Sequence, residues 1–199
     1  MIYLIGGAPR CGKTILSERL SVEKHLPWIS TDTLRASLLA YIPDSEIETK
    51  FPDQNRRLET NTPEELLESE LVESETLWPG ICAMIKHFVD CQQEYVIEGV
   101  HLMPKLIQQL QTTPYWSQIK LIYLVKSDLR EIEEGLVQNK AKHDWLKDIL
   151  EEKELLEKAA RMVQMKSVYI ADQARSCGYA VIDTGIDFEQ KIAKLSRGF

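Results

Sequence analysis

The amino-acid sequence predicts an α/β fold, a parallel sheet with helices packed on both faces. Three observations predict it. Short apolar, β-rich runs occur at residues 2–5, about 27–29, 95–98, 119–125 and 179–183. The segments between them carry helical spacing of apolar residues, and strands alternating with helices favour parallel pairing. The first run leads into Gly7-Ala8-Pro9-Arg10-Cys11-Gly12-Lys13-Thr14 and then a helical segment to Leu20, which is a strand, a glycine loop and a helix in succession.

The glycine loop reads G-x-x-x-x-G-K-T. Glycines at 7 and 12 allow backbone angles that are costly for other residues. Successive N–H groups then form an anion nest, and the following helix adds its positive N-terminal end. Gly7, Ala8, Pro9, Arg10, Cys11, Gly12, Lys13, Thr14 and Ile15 are therefore the expected cradle of a nucleotide triphosphate. Lys13 is expected to reach the β- and γ-phosphates, and the Thr14 hydroxyl to ligate Mg²⁺. Cys11 is either an inert loop residue or a thiol activated by the helix N-terminus.

The second strand, opened by Pro27, leads into Trp28-Ile29-Ser30-Thr31-Asp32-Thr33-Leu34-Arg35. Asp32 then lies at the carboxyl edge of the sheet, where open α/β folds bind ligands. A carboxylate there can accept the proton of an attacking hydroxyl or orient Mg²⁺ through water. Arg35, one helical turn on, can hold an anionic acceptor group by a bidentate contact. The plain alternative is a helix N-cap at Thr31 or Asp32 with Arg35 solvated.

Residues 36–94 are too long for a plain connection. They open irregularly, with Pro43, Asp44, Pro52, Asp53 and Asn55. Thr62-Pro63-Glu64-Glu65 is a helix start, with cap, N1 proline and Glu at N3. The spacing predicts a helix to about Leu77, a kink or break at Pro79-Gly80, and another helix from Ile81 to Cys91. The acidic run Glu64 to Glu75 reads as a solvated face.

The third strand ends in Val96-Ile97-Glu98-Gly99-Val100-His101-Leu102-Met103-Pro104. Glu98 stands where a carboxylate can meet Mg²⁺ through water or bind the acceptor, or it is simply a helix N-terminal acid. His101 either touches the acceptor and supports Glu98 or is a structural histidine. Beyond the fourth strand, Ser127-Asp128 caps a helix, a basic loop follows at Asn139 to Asp144, and a long helix runs from about Leu146 to Ser176, stopping before Gly178. Met162 and Met165 on that helix, and Trp78, Trp116 and Trp145, read as packing residues. Asp183 and Thr184, after the last strand, are candidates for the nucleotide site or for an ordinary strand-to-helix turn.

Composition bounds the rest. The 31 acids against 24 bases, net −7, disfavour a long nucleic-acid partner. No apolar stretch approaches the roughly 20 residues of a membrane span, and none resembles a leader, so no membrane partner is expected. Cys11, Cys82, Cys91 and Cys177 form no C-x-x-C pair, which points to a reducing cytoplasm. The chain is too short for an ABC or AAA+ engine, and Asn139-Lys140-Ala141-Lys142 lacks the aspartate of a guanine-binding N-K-x-D. One domain over 1–199 is expected, with a helical insert at about 36–94 and a lid at about 127–165. A homodimer stays open.

The phosphate loop, Ser30 to Arg35, and Ile97-Glu98-Gly99-Val100-His101-Leu102-x-Pro104 resemble the 2-phosphoglycerate kinase family. That branch of P-loop kinases also includes relatives of zeta toxins and polynucleotide kinase domains. The resemblance spans residue 1 to about 185. It implies a three-layer fold with strand order 2-3-1-4-5, ATP as donor, and transfer of its γ-phosphoryl to a small, anionic acceptor held between Asp32, Arg35 and Glu98. It also implies that the loop after the last strand packs on adenine, and that Arg161 is a catalytic lid arginine. The chain departs from the pattern between 131 and 160, where no arginine occurs. Lys140 and Lys142 are the substitutes there, and Arg130 is a lesser candidate. Two other functions stay in view: a nucleotide-binding switch with weak phosphotransfer, and a kinase of nucleosides or nucleic-acid 5′ ends.

Overall fold

The structure, a computed structural model, describes residues 1–55, 57–138 and 152–199. Among these, five parallel strands form one sheet: β1 (Ile2–Gly7), β2 (Trp28–Ser30), β3 (Tyr95–Gly99), β4 (Ile119–Val125) and β5 (Val181–Asp183). Their spatial order is β2-β3-β1-β4-β5, as the resemblance implies. β1 is buried along its whole length because helices cover both of its faces. It pairs with β3 on one side and β4 on the other, and this change of winding direction opens a crevice at the carboxyl edge. Ser30 and Ile5 both stand level with Glu98, so three strand ends meet at that crevice.

On one face, α1 (Lys13–Lys24), α7 (Lys153–Ser176) and α8 (Phe188–Gly198) bring Leu16, Leu20, Ile170 and Ile192 onto Tyr3, Ile5 and Val96. On the other, α4 (Pro63–Asp90) and α5 (Pro104–Ile107) lay Leu77, Ile81, Ile85 and Ile107 on Ile2, Leu4 and Ile97. α2 (Thr31–Leu39) and α3 (Asp44–Lys50) lie between β2 and α4 in the chain. A third apolar cluster joins α6 (Leu129–Gln138) to α7 through Ile132, Leu136, Ala159 and Met162, and takes in Leu58 and Leu66.

Several local readings are corrected. α4 is one continuous helix of 28 residues with Pro79 inside it, not two helices. The proline costs roughly 3 kcal/mol. Burial of Leu77, Trp78, Ile81 and Ile85 on one stripe outweighs that, at roughly 1.5–3 kcal/mol for each large apolar side chain. Its start is as expected: Thr62 accepts from the Glu65 N–H at 3.2 Å while Glu65 accepts from the Thr62 N–H at 2.8 Å. The stretch before it contains α3 and a 3-10 turn at Pro52–Asn55, where the sequence suggested irregular chain. The cap of α2 is Ser30, whose hydroxyl accepts from the Asp32 N–H at 3.2 Å, not Thr31 or Asp32. β2 starts at Trp28, one residue after Pro27.

Trp78 is buried and donates to Gln109 at 2.9 Å, and Trp116 packs near Tyr179 with ring centroids 6.2 Å apart, in keeping with packing roles. The basic loop with Lys140 and Lys142, the start of the long helix and Trp145 lie outside the described residues. Among the described residues, no helix is long and apolar enough to cross a membrane.

Candidate active site

The phosphate loop turns at Gly12, where φ is 91°, a left-handed value that costs a non-glycine residue strain. The loop is braced from β5: the buried Thr184 hydroxyl donates to the Cys11 carbonyl at 2.9 Å. Lys13 is buried at the start of α1, and its ammonium donates to the Ala8 carbonyl at 2.7 Å. It lines the cleft beside Arg10 and Thr14. Cys11 is fully buried, and burial pushes its thiol up, so the reading as an activated thiol fails.

Glu98 ends β3, buried, and accepts from the Thr14 hydroxyl at 3.2 Å. Burial pushes its carboxyl up, with Lys13 opposing and Asp32 adding to the rise. It reaches the loop because Gly99 lets β3 and α2 approach: a Cβ on Gly99 would stand 1.7 Å from the Thr31 hydroxyl oxygen. A hydroxyl beside a carboxylate is the oxygen donor set a hard dication takes, so Thr14 and Glu98 fit a magnesium ion. Asp32, on the first turn of α2, is 72 % exposed and faces the same cleft.

His101 is buried behind them. Its Nδ1 shares a hydrogen bond with the Thr31 hydroxyl at 2.9 Å and lies 3.7 Å from Asp32, while Nε2 lies 4.0 Å from Glu73. Burial, then the charges of Arg35, Lys13 and Lys166, lowers its pKa to about 3. It is neutral at physiological pH and supports Thr31 and Asp32 rather than exchanging protons. The unfolded chain takes up this proton near the ordinary value of 6.5, and the native chain only near 3. The native contribution is complete above 6.5 and is lost as pH falls toward 3, with a slope of up to about 1.4 kcal/mol per pH unit. Glu70 and Glu98, raised by burial, pull the other way above the ordinary carboxyl range. His101→Asn is therefore expected to flatten the acid side of the stability curve relative to the native chain. Urea midpoints between about pH 4 and 7 check this, and parallel curves would contradict it.

The cleft also contains residues that sequence reasoning missed. Arg35 does not stand open: Nε and Nη2 fork onto Glu73 at 2.5 and 3.0 Å, and Gln54 takes further contacts at 3.3 and 3.4 Å. Glu73 is 1 % exposed and also accepts from the Asp53 N–H at 2.8 Å. Lys166 on α7 donates to Glu70 on α4 at 2.7 Å, both buried. The acidic run of α4 is thus not wholly solvated, and Glu70 and Glu73 are structural partners of two cations. A signal was present: Leu66, Glu70, Glu73 and Leu77 fall on one helical stripe, as do Val163, Lys166 and Ile170.

One cleft of about 800 Å³ gathers Arg10, Lys13, Thr14, Asp32, Arg35, Glu98 and His101, with Lys166 and Glu70 in its wall. That size suits a small-molecule site. Arg161 is exposed on α7 and does not line the cleft, whereas its neighbour Met162 does. Met162 belongs to the third apolar cluster, as the core reading expects, whereas Met165 is half-buried and belongs to none of the three clusters. Asp183 accepts from Ser127 and from the Gly185 N–H at 2.8 Å, so its carboxylate serves the turn after β5, as the Thr184 hydroxyl does. Ile15 is exposed on α1, outside the cleft.

No family model and no curated protein matches the chain. Solved structures do resemble it. A shikimate kinase from Bacteroides thetaiotaomicron superposes with TM-score 0.57 at 13% identity, over 99% of this chain and 97% of that one. A gluconokinase from Sinorhizobium meliloti 1021 gives 0.53 at 12% identity, over 98% and 93%. A sugar kinase from Janibacter sp. HTCC2649 gives 0.50 at 14% identity, over 98% and 91%. The fold is that of P-loop kinases such as these.

Proposed function

We propose that the protein is an ATP-dependent phosphotransferase that moves the γ-phosphoryl of Mg-ATP to a hydroxyl of a small metabolite. One observation carries this reading: a single cleft joins the phosphate loop to Asp32 and Glu98 at the adjacent strand ends. The loop N–H groups and Lys13 hold the donor phosphates. Thr14 and Glu98 would hold the magnesium ion, which neutralises phosphate charge when bound. Asp32 accepts the proton as the acceptor oxygen bonds to the γ-phosphorus and the bond to the β,γ-bridging oxygen breaks, releasing ADP. Catalysis of this kind is positioning plus charge stabilisation.

The resemblance to 2-phosphoglycerate kinases supports the same chemistry, and a cytoplasmic setting accords with four free thiols. A kinase of nucleic-acid ends calls for a basic track, yet Asp53, Glu59 and Glu98 line the approach to Asp32 alongside Arg35 and Arg57. The test is ADP release from Mg-ATP across a panel of 2-phosphoglycerate, sugar acids, polyols, nucleosides, nucleoside monophosphates and oligonucleotide 5′ ends. At least one small acceptor is expected to accelerate release. Tight ATP binding with no acceptor effect would favour the nucleotide-switch reading instead.

A further inference from the structure

Resting on the phosphotransferase reading, we infer that the acceptor is a polyhydroxyl compound with no carboxylate or phosphate of its own, neutral or amine-bearing, held by the carboxylate wall of α4. The unpartnered oxygen of Glu70 and the pairing of Arg35 and Lys166 with carboxylates of α4 carry this inference.

An anionic acceptor needs a cation that is not already spoken for. Arg35 spends its fork on Glu73, and Lys166 is paired with Glu70. Arg57 donates to the Gln54 carbonyl at 3.0 Å, and the remaining cations of the cleft, Arg10 and Lys13, belong to the phosphate loop on the donor side. Pulling Arg35 onto a substrate anion would leave Glu73 buried without its partner, and removing one member of a buried pair is strongly unfavourable. His101, neutral in its buried site, adds no positive charge.

The wall asks instead for donors. Glu70 is 6 % exposed and lines the cleft. Its Oε2 accepts from Lys166, while Oε1 accepts no hydrogen bond among the described residues. A buried carboxylate oxygen without a donor is uncommon and costly. The Glu70 carboxylate, in the wall of the cleft, is the group that a hydroxyl or ammonium of the acceptor would supply with a donor, and Asp53 and Glu59 line the same cleft. Leu58, Leu66 and Met162 line the cleft as well, a surface for the C–H face of a carbon chain.

The test is a charge series on one six-carbon hydroxylated skeleton: D-gluconate, D-glucitol and 1-amino-1-deoxy-D-glucitol. Binding is read by ligand-observed NMR on the full chain with Mg²⁺ and a non-hydrolysable ATP analogue, and ADP release is read separately with ATP. The neutral and amine members are expected to bind about tenfold or more tighter than gluconate, and Glu70→Gln to remove most of the amine's advantage. Because Glu70→Gln leaves Lys166 unpaired, Asp53→Asn, on the half-buried turn, serves as a second variant and should weaken the amine alone. Gluconate binding as tightly as the others, or no binding by any member, overturns the inference. Acceleration of ADP release by gluconate above the other two overturns it while the phosphotransferase reading stands. Glu70-dependent polyol binding without any ADP release sinks the phosphotransferase reading and leaves the ligand class standing.

Discussion

Lys13→Ala is expected to lower acceptor-dependent ADP release by about 10³-fold or more, the scale seen when a cation or donor on the transferring group is lost. Lys13 is the buried ammonium at the start of α1, and the Ala8 carbonyl accepts its hydrogen bond. That contact is replaceable by phosphate, which is why the residue is set for charge stabilisation rather than for holding the loop. Gly12, Ser17 and Thr184 brace the backbone independently of it. The variant should therefore stay folded by circular dichroism and bind Mg-ATP more weakly. Full activity in a folded Lys13→Ala protein would remove the basis of the mechanism.

Asp32→Asn is expected to reduce kcat by roughly 10²- to 10⁴-fold, the usual range for a lost general base. The KM for ATP should change little, because the Asp32 side chain makes no hydrogen bond to the phosphate loop. The amide keeps the shape of the carboxylate and cannot take the proton. Stability should also hold, since the side chain is largely exposed and the cap of α2 is Ser30. A rise in acceptor KM with kcat unchanged would mean that Asp32 binds the acceptor and accepts no proton from it.

The candidate site divides into a part that is local in the chain and a part that is not. The phosphate loop is eight consecutive residues whose backbone conformation depends on its own glycines. The α/β alternation, the Thr62 capping box and the strand-end acids Asp32 and Glu98 likewise announce themselves within a few positions. Patterns of that kind survive folding because neighbours in sequence supply most of the physics. Pro79 shows the limit of local reasoning: a helix breaker by propensity, it is carried inside α4 because the stripe through Leu77, Ile81 and Ile85 has a sheet to cover.

The charges along α4 were not legible in this way. Arg35 and Glu73 are 38 positions apart and Glu70 and Lys166 are 96 apart, so no spacing rule links them. In the chain, Glu64 to Glu75 looks like an ordinary solvated acidic face. Packing of α4 against α2 and α7 buries two of those acids and couples each to a cation. A charge taken out of water must find a partner, and which partner it finds is set by the crossing of helices. Local backbone chemistry thus marks out a phosphate loop from the chain alone, whereas long-range burial decides how the other half of the cleft is charged.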